Sequence, residues 1–259
     1  MTTPPAYPEG HQLLEGRTVL VTAAAGTGIG FATAKRCAEE GAIVAISDRH
    51  ERRLAESAEQ LSEILGRPAV SVPCNVTNED DVRRMFDTVL GEFGHLDVLV
   101  NNAGLGGTAN VVDMTDEQWD AVLGVTLTGT FRCTRAALAH MLPRGSGAIV
   151  NNASVVGWRA QEGQGHYAAA KAGVMALTRC AAIEVARSGV RINAVAPSLA
   201  MHANLAKVTT DELLAELTER EAFGRAAETW EVANVIVFLA SDYASYLTGE
   251  VISVSSQHP

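Results

Sequence analysis

Short apolar runs alternate with longer amphipathic stretches along almost the whole chain, and this alternation constrains the fold more than any other sequence feature. The apolar runs have the length of strands and lie at residues 18–22, 43–47, 69–73, 97–100, 148–152, 190–195 and 251–254. The intervening stretches have the length of helices and include residues 31–40, 50–65, 79–93, 116–142 and 166–188. Strands that are apolar on both faces and followed by helices are typical of a parallel sheet covered on both sides. The pattern predicts an α/β fold with a doubly wound, Rossmann-like sheet of seven parallel strands.

The length of the chain fits one large α/β domain. It has 259 residues, with no internal repeat and no linker that would separate a second domain. We therefore predict a single domain over residues 14–259, preceded by a Pro-rich flexible extension, residues 1–13. That extension lacks the basic and apolar regions of a signal peptide, so we expect a cytoplasmic protein.

Charge, hydropathy and cysteine content argue against several functional classes. The formal net charge of −10 argues against a nucleic-acid binder or a partner of anionic membranes, because no basic field is present to attract phosphates. No apolar run approaches the ~20 residues that a membrane-spanning helix needs. The four cysteines are scattered and form no C-x-x-C pair, which predicts reduced, buried thiols and no metal site.

A glycine-rich turn follows the first strand, where residues 19–30 read V-L-V-T-A-A-A-G-T-G-I-G. Glycine lets the backbone approach a pyrophosphate, and the N-terminus of the next helix supplies N–H donors and partial positive charge. Many glycine-rich turns have only a conformational role, but the strand before this one and the helix after it are the context of a dinucleotide site. The residues predicted to contact the cofactor here are Gly26, Thr27, Gly28, Ile29 and Gly30.

Asp48 ends the second strand, about 20 residues beyond Gly28, where a carboxylate accepts hydrogen bonds from the adenosine ribose. A carboxylate there also repels the 2′-phosphate of NADP, so we expect NAD as the cofactor. The alternative is that Asp48 only caps the helix that starts near His50. A basic neighbour, Arg49, would soften the discrimination and leave NADP possible.

The sequence N-N-A-G, residues 101–104, follows the fourth strand. Small residues at this point let the loop pass close to the adenosine side of a cofactor, and asparagine side chains can tie neighbouring backbone segments together. We therefore add Asn102, Ala103 and Gly104 to the predicted cofactor site.

Three polar residues in the second half of the chain carry the predicted chemistry. Tyr167 and Lys171 lie four residues apart on one helix and so share a face. An ammonium group beside a phenol favours the phenolate and lowers the pKa of the tyrosine. Ser154 follows the fifth strand, where its hydroxyl can polarise a substrate carbonyl. This ordered set predicts the interconversion of a secondary alcohol and a ketone.

Together these motifs resemble the short-chain dehydrogenase/reductase family from Leu14 onward. The resemblance rests on the glycine-rich turn, Asp48, N-N-A-G at 101–104, Ser154, Y-A-A-A-K at 167–171 and R-I-N-A-V-A-P at 191–197. It implies that Tyr167 is the general acid/base, that Lys171 also binds the nicotinamide ribose, and that Ser154 orients the reacting oxygen. Hydride would move between nicotinamide C4 and the substrate carbon. Further cofactor contacts implied by the resemblance are Tyr167 and Lys171 themselves, Pro197, Ser198 and Leu199.

The first two departures from that family lie near the cofactor and the proton path. The glycine-rich turn is one residue longer, and Ala23 takes the place of its first glycine. Thr126 stands where the family has an asparagine that holds a water in the proton relay to Lys171. We therefore include Thr126 among the predicted catalytic residues, with a relay through an extra water; the alternative is that it only packs in its helix.

Two further departures concern the ends of the cofactor. Asn75 stands where an aspartate often receives the adenine amino group, and its amide oxygen can accept the same hydrogen bond. Its neighbour Val76 is also predicted to contact the cofactor. His202 replaces a threonine that helps hold the nicotinamide. This histidine contacts the cofactor, reaches the substrate or points to solvent.

Residues 199–223 are predicted to form a lid over the substrate, with a helix at 211–220. Its apolar residues, Met201 among them, suggest a bulky hydrophobic substrate, although they could equally pack the lid onto the body of the domain. Trp158 follows the Ser154 loop and either lines the pocket or has an ordinary packing role. His166, beside Tyr167, is expected to be structural.

We expect an NAD(H)-dependent oxidoreductase that acts on a small molecule and forms a homodimer or homotetramer. The extended turn, Thr126 and P-S-L-A-M-H at 197–202 resemble members associated with bacterial sterol-ring breakdown, which implies a steroid-derived or acyl-CoA substrate. One alternative is a 3-oxoacyl-thioester reductase of fatty-acid type, which usually prefers NADP; Asp48 argues against it. Another is a catalytically inactive nucleotide-binding protein, against which the retention of Ser154, Tyr167 and Lys171 argues.

Overall fold

A parallel seven-stranded sheet forms the centre of the computed structural model, which describes residues 2–201 and 211–256. The strands of this sheet are β1 (Thr18–Thr22), β2 (Ile43–Asp48), β3 (Val70–Pro73), β4 (Val98–Asn101), β5 (Gly147–Asn152), β6 (Val190–Pro197) and β9 (Val251–Val254). Two short strands, β7 (Ala200–Met201) and β8 (Ala227–Glu228), form a separate two-stranded sheet. The order in the main sheet is β3-β2-β1-β4-β5-β6-β9, and every pair in it is parallel. The predicted doubly wound α/β fold is confirmed.

Helices cover both faces of the sheet. They are α1 (Ile29–Glu39), α2 (Glu51–Leu65), α3 (Glu79–Phe93), α4 (Asp116–Leu123), α5 (Gly129–Arg144), α6 (Gly165–Val185), α7 (Asp211–Arg220) and α8 (Thr229–Ala240). Local sequence sets their ends: the Asn78 side chain caps α3 by accepting from two backbone N–H groups, and Gly94 ends it in a left-handed conformation. No helix among the described residues is long and apolar enough to span a membrane.

Each face of the sheet has its own hydrophobic core. Val19 and Val21 belong to the cluster under α1 and α8, whereas Leu20 between them belongs to the cluster under α3 and α5. Successive side chains of a strand point to opposite faces, so burial of both faces requires apolar residues at consecutive positions. This is the physical reason for the unbroken apolar runs in the sequence.

The helix predicted over 116–142 is continuous in the structure, but it contains a π turn that was not predicted. A π-helical turn, Gly124–Thr128, separates α4 from α5. A π turn inserts one extra residue into a helix, and apolar periodicity does not register so small a change. The turn carries Thr126, whose buried side chain bonds to a neighbouring loop. The two-residue pairing of β7 with β8 was also not predicted.

Residues 7–13 of the predicted N-terminal extension lie against α1. Arg36 donates to the carbonyl oxygens of Pro8 and Glu9 at 2.8 and 2.9 Å, and the Glu40 carboxylate accepts from the backbone N–H groups of His11 and Leu13. Arg36 and Glu40 are both buried and pair with each other at 2.5 Å. The prediction missed this contact because the anchoring residues lie on another element.

Candidate active site

Ser154, Tyr167 and Lys171 meet at the carboxyl end of the sheet. Ser154 follows β5, and the first turns of α6 carry the other two residues. Ser154 is buried, its Oγ accepts from Val156 N at 3.3 Å, and its side chain hydrogen-bonds to Tyr167. The Lys171 Nζ atom lies 5.6 Å from the centroid of the Tyr167 ring. The structure therefore brings the three predicted residues together.

Lys171 is a buried cation with a backbone partner. Its side chain is almost fully buried, and Nζ donates to the Asn152 carbonyl oxygen at 2.5 Å. Burial disfavours the charged form and lowers the pKa of Lys171 to about 8. The ammonium group therefore titrates near physiological pH.

The pKa of Tyr167 departs from the sequence-based expectation. Burial raises this pKa above its ordinary value, and the hydrogen bond with Ser154 opposes the rise. The expected lowering by Lys171 is wrong for the structure as it stands, because desolvation of the phenolate outweighs the other influences. Tyr167 is thus held in its protonated form, as a proton donor requires.

Thr126 is buried on the π turn, with its hydroxyl engaged by the loop after β4. Its Oγ1 accepts from Leu105 N at 3.0 Å and donates to Leu105 O at 3.2 Å. A β-carbon added at Gly104 would lie 3.5 Å from Lys171 Nζ and 3.9 Å from Thr126 Oγ1. The Lys171 ammonium group and the Thr126 hydroxyl therefore both lie beside Gly104. The Thr126 hydroxyl is bonded to the backbone of Leu105, in the loop after β4. These bonds favour a role in holding that loop over a direct role in proton transfer.

The start of α1 has open donors for an anion. Gly28 is the N-cap residue, with no side-chain cap, and the first turn of the helix has no acidic residue. A β-carbon added at Gly28 would meet no atom within 4 Å, so space is open beside the turn. The first N–H groups of a helix have no partner inside it. The geometry at Gly28, Ile29 and Gly30 therefore fits a dinucleotide pyrophosphate.

The extended part of the turn is held by backbone geometry and by α2. Ala23 has a φ of +50° and Gly26 has a φ of +95°. This left-handed region is unfavourable for residues with a β-carbon, which explains why glycine is usual at the position of Ala23. Gly26 N donates to Ser57 Oγ at 3.0 Å, and Thr27 is exposed beside it. The sequence did not predict a role for Ser57, because nothing distinguishes this serine from the other polar residues of α2.

Asp48 bridges the turn and α2. Its Oδ2 accepts from Ala25 N at 3.2 Å, and its Oδ1 accepts from His50 N at 2.9 Å. The bond to His50 N is a local turn bond to the residue before α2, and α2 has no side-chain cap, so the alternative that Asp48 only caps this helix is wrong. Arg49 is exposed, and its Nε donates to His50 Nε2 at 3.3 Å.

Asn75 and Val76 have local partners. The Asn75 Oδ1 atom accepts from Thr77 N at 3.1 Å and from Thr77 Oγ1 at 2.9 Å. Because an amide oxygen has two lone pairs, these bonds oppose the predicted hydrogen bond from adenine. Val76 is buried, and a β-carbon at Gly129 would lie 2.6 Å from its Cγ2 atom. Its side chain therefore packs on α5.

The N-N-A-G loop is tied to β1 and β5. Asn102 Nδ2 donates to the Ala23 carbonyl oxygen at 2.9 Å, and Asn102 Oδ1 accepts from Asn152 Nδ2 at 2.9 Å. Thr22 Oγ1 accepts from the N–H groups of Asn102 and Ala103. Asn152 was missed, although two adjacent asparagines at the end of an apolar strand are a usable signal, since buried amides need partners.

Residues 197–199 connect β6 to β7 and are held by backbone hydrogen bonds. Pro197 ends β6, Ser198 N donates to Val254 O at 3.1 Å, and Leu199 N donates to Glu221 Oε1 at 3.3 Å. Glu221 is buried and also accepts from Ser256 Oγ at 2.7 Å. No sequence signal marked Glu221, which joins the two ends of the predicted lid.

The predicted substrate residues lie at the surface. Trp158 is 42% exposed after the Ser154 turn, and Met201 is 38% exposed where β7 pairs with β8. His202 lies outside the described residues. His166, expected to be structural, is buried. Of the cysteines, Cys37, Cys74 and Cys133 are free and buried as predicted, whereas Cys180 is exposed.

Known proteins resemble the chain over nearly its whole length. The family whose sequence profile matches residues 23–256 is described as enoyl-(acyl carrier protein) reductase. A (5R,7aS)-5-hydroxy-7a-methyl-1-oxo-2,3,5,6,7,7a-hexahydro-1H-indene-carboxyl-CoA reductase of Mycobacterium tuberculosis is 64% identical over 96% of each chain. A 3-oxoacyl-(acyl-carrier-protein) reductase of Staphylococcus aureus is 38% identical over 92% of this chain and 96% of its own. The crystal structure of a short chain dehydrogenase from Mycobacterium smegmatis has a TM-score of 0.88 and 57% identity over 99% of each chain.

These likenesses agree with the parallel sheet and with the meeting of Ser154, Tyr167 and Lys171 at its carboxyl end. They cover both the glycine-rich turn and the helix that carries the tyrosine and the lysine. The chain belongs to the short-chain dehydrogenase/reductase family, whose members are oxidoreductases that use nicotinamide cofactors and act on hydroxy and keto groups.

Proposed function

We propose that the protein is an NAD(H)-dependent oxidoreductase that interconverts a ring hydroxyl and a ketone on a fused-ring carboxyl-CoA thioester. The observation that carries the reaction class is the convergence of Ser154, Tyr167 and Lys171 beside an uncapped helix N-terminus. The observation that carries the substrate class is 64% identity to a reductase named for such a thioester.

The chain's own residues account for the proton transfer. The hydroxyl groups of Ser154 and Tyr167 hydrogen-bond to each other and would hold the substrate oxygen between them. A bound nicotinamide supplies or accepts the hydride. In the direction of reduction Tyr167 donates the proton, and its raised pKa keeps that proton available at neutral pH. Lys171 would bind the ribose and place positive charge beside the phenol ring.

The cofactor preference rests on Asp48. Its carboxylate lies at the end of β2 next to the glycine-rich turn, where a negative charge opposes a 2′-phosphate. We expect NADH to bind at least ~10-fold more tightly than NADPH in fluorescence titrations, a difference of about 1.4 kcal/mol. An Asp48→Asn variant should narrow the difference. Tighter binding of NADPH by the unmodified protein would contradict the assignment.

The substrate class is tested by turnover. Exposed apolar residues at the rim, Trp158 and Met201, fit a bulky hydrophobic ring system. We expect NADH absorbance assays to show a higher kcat/KM with a fused-ring keto or hydroxy carboxyl-CoA thioester than with acetoacetyl-CoA. Failure of every ring thioester together with turnover of acetoacetyl-CoA would overturn this proposal.

Two other functions have support of their own. The 38% identical 3-oxoacyl reductase favours a fatty-acid-type reductase, which predicts preference for acetoacetyl-CoA and NADPH. A non-catalytic nucleotide-binding protein would bind NADH but turn over no substrate. Its sequence support is the absence of asparagine at position 126, and the Thr126–Leu105 bonds supply another reason for that residue.

We further propose that residues 199–223 cover the substrate and that the enzyme is a cytoplasmic homodimer or homotetramer. The contact of Leu199 with Glu221 closes the base of the lid segment.

Ile183 on α6 is 80% exposed, which supports contact between subunits through this helix. Light scattering should give a mass of two or four chains, and Ile183→Arg should lower it.

A further inference from the structure

Asn152 makes two contacts in opposite directions at the end of β5. Its main-chain carbonyl accepts from Lys171 Nζ at 2.5 Å. Its side-chain Nδ2 donates to Asn102 Oδ1 at 2.9 Å. One residue therefore contacts both the buried ammonium group of the proposed site and the loop that follows β4.

A second hydrogen bond connects Asn102 to the glycine-rich turn. Asn102 Nδ2 donates to the carbonyl oxygen of Ala23 at 2.9 Å, at the position where the backbone is left-handed. A β-carbon at Gly30 would clash with both this oxygen and this amide nitrogen, so α1 packs directly on the bond. A continuous path thus joins Lys171, Asn152, Asn102 and Ala23 across the ends of β5, β4 and β1.

In the described part of the chain, one end of the Asn152 side chain is paired and the other is not. Its Oδ1 is buried and has no hydrogen-bond partner among the described residues. A buried amide with an unsatisfied oxygen is less favourable than an apolar side chain of the same size. The contact that offsets this cost is the bond to Asn102.

We propose that Asn152 is a positioning residue that couples the placement of the Lys171 ammonium group to the shape of the cofactor-binding turn. A shift of the turn would move Asn102, and through Asn152 it would move the carbonyl oxygen that holds Lys171. The cofactor half and the chemical half of the site would then be aligned as one unit. The inference rests on the proposed function, because it assumes that the turn binds the cofactor.

A double-mutant cycle tests this coupling. The variants are Asn152→Ala, Asn102→Ala and the double variant, and the readouts are the NADH Kd from fluorescence titration and its pH dependence. We expect each single variant to weaken NADH binding about 5- to 10-fold and the double variant to be no weaker than the worse single one, because both break the same path. The pH midpoint of NADH binding, expected near the Lys171 pKa of about 8, should shift in Asn152→Ala.

The matched control is Thr178→Val. Thr178 Oγ1 accepts from Asn151, which is adjacent to Asn152 but points to the opposite face of β5. This variant should lower the Tm while leaving the NADH Kd and its pH midpoint unchanged. If Asn152→Ala does not fold, Asn152→Leu keeps a side chain branched at Cγ without the amide and gives the same test.

Independent effects in the cycle, or an equal loss in Thr178→Val, would overturn the inference. A coupled cycle in a protein that turns over no alcohol or ketone would leave the inference standing and reject the proposed function. If the Asn152 variants bind NADH as the wild type does and turn over substrate normally, the inference is rejected and the proposed function stands.

Discussion

The two ends of the parallel sheet each bury a charged side chain, but they treat the charge differently. At the amino end, the Asp97 carboxylate accepts from Thr18 N at 3.0 Å and Thr18 Oγ1 at 3.1 Å, and pairs with Arg144 at 2.9 Å and His95 at 3.2 Å. At the carboxyl end, Lys171 donates to one carbonyl oxygen, that of Asn152.

The pKa values reflect this difference. Burial by itself would raise the pKa of Asp97, but the bonds from Thr18 and Arg144 hold it below its ordinary value. Burial lowers the pKa of Lys171 to about 8 without a compensating carboxylate. A charge with several partners stabilises the fold, whereas a charge with few partners remains available to a ligand at a cost in stability.

The largest expected effect is the loss of activity in Tyr167→Phe. Removal of the proton donor should lower kcat about 10³-fold, within the range for general acid–base groups. Stopped-flow or steady-state NADH absorbance on the substrate identified by screening measures it. Tyr243→Phe, at a position 77% exposed, should leave kcat unchanged. Full turnover by Tyr167→Phe would refute the assigned chemistry.

At the amino end, Asp97→Ala should destabilise the fold by about 2–4 kcal/mol, because the buried N–H and hydroxyl of Thr18 lose their acceptor and the partly exposed Arg144 loses its partner. The exposed pair Arg17–Asp242 offers a control, since Asp242→Ala should cost at most about 1 kcal/mol. Urea unfolding measures both. Because the folded pKa of Asp97 is lowered, its contribution is present above the ordinary carboxyl pKa and is lost as the pH falls through the folded value.

Lys171→Met should have the opposite sign and raise stability by about 1–3 kcal/mol at pH 7 while abolishing activity. The folded pKa of about 8 lies below the ordinary value of 10.5. The unfolded state therefore binds more protons between these values, and wild-type stability rises over that pH window. The advantage of the variant should disappear there. As a control, Lys35→Met on the surface of α1 should change the free energy of unfolding little. A Lys171→Met variant less stable than the wild type at pH 7 would contradict the comparison between the two ends of the sheet.

The smallest expected effect is at Ala23, whose φ of +50° is unfavourable for a residue with a β-carbon. Ala23→Gly should relieve this strain and stabilise by about 0.5–1 kcal/mol, partly offset by the greater freedom of the unfolded chain. Ala25→Gly is the control, because Ala25 has no positive φ and glycine there should destabilise. Thermal unfolding of both variants distinguishes relief of strain from a general effect of glycine.

Sequence reasoning succeeded where local pattern determines structure. The bounds predicted for β1 and β9, residues 18–22 and 251–254, match the structure, as do those of α3 and α7. These elements have strong apolar periodicity or clear end signals. The π turn at Gly124–Thr128 and the contact of residues 7–13 with α1 were not predicted, because both depend on contacts with distant residues.

The candidate site also has features that the sequence predicted and features that depend on tertiary contacts. The spacing of Tyr167 and Lys171 on a helix places them on one face wherever that helix lies, so the sequence was sufficient. The contacts of Thr126 with Leu105 and of Asn75 with Thr77 depend on side-chain orientation, and the predicted hydrogen bonds differed there. The sign of the Tyr167 pKa shift depends on burial, which spacing does not report.

By itself, the sequence determined the parallel α/β architecture, the reaction class and the residues of the proposed proton transfer. Periodicity and motif spacing are local properties, and a parallel sheet brings the carboxyl ends of its strands to one edge whatever the loops do. Only the tertiary structure decided how the Lys171 charge is desolvated, how Asn152 and Asn102 join that lysine to the glycine-rich turn, and that Glu221 bonds to Leu199. These features depend on burial and on hydrogen bonds between residues far apart in the chain.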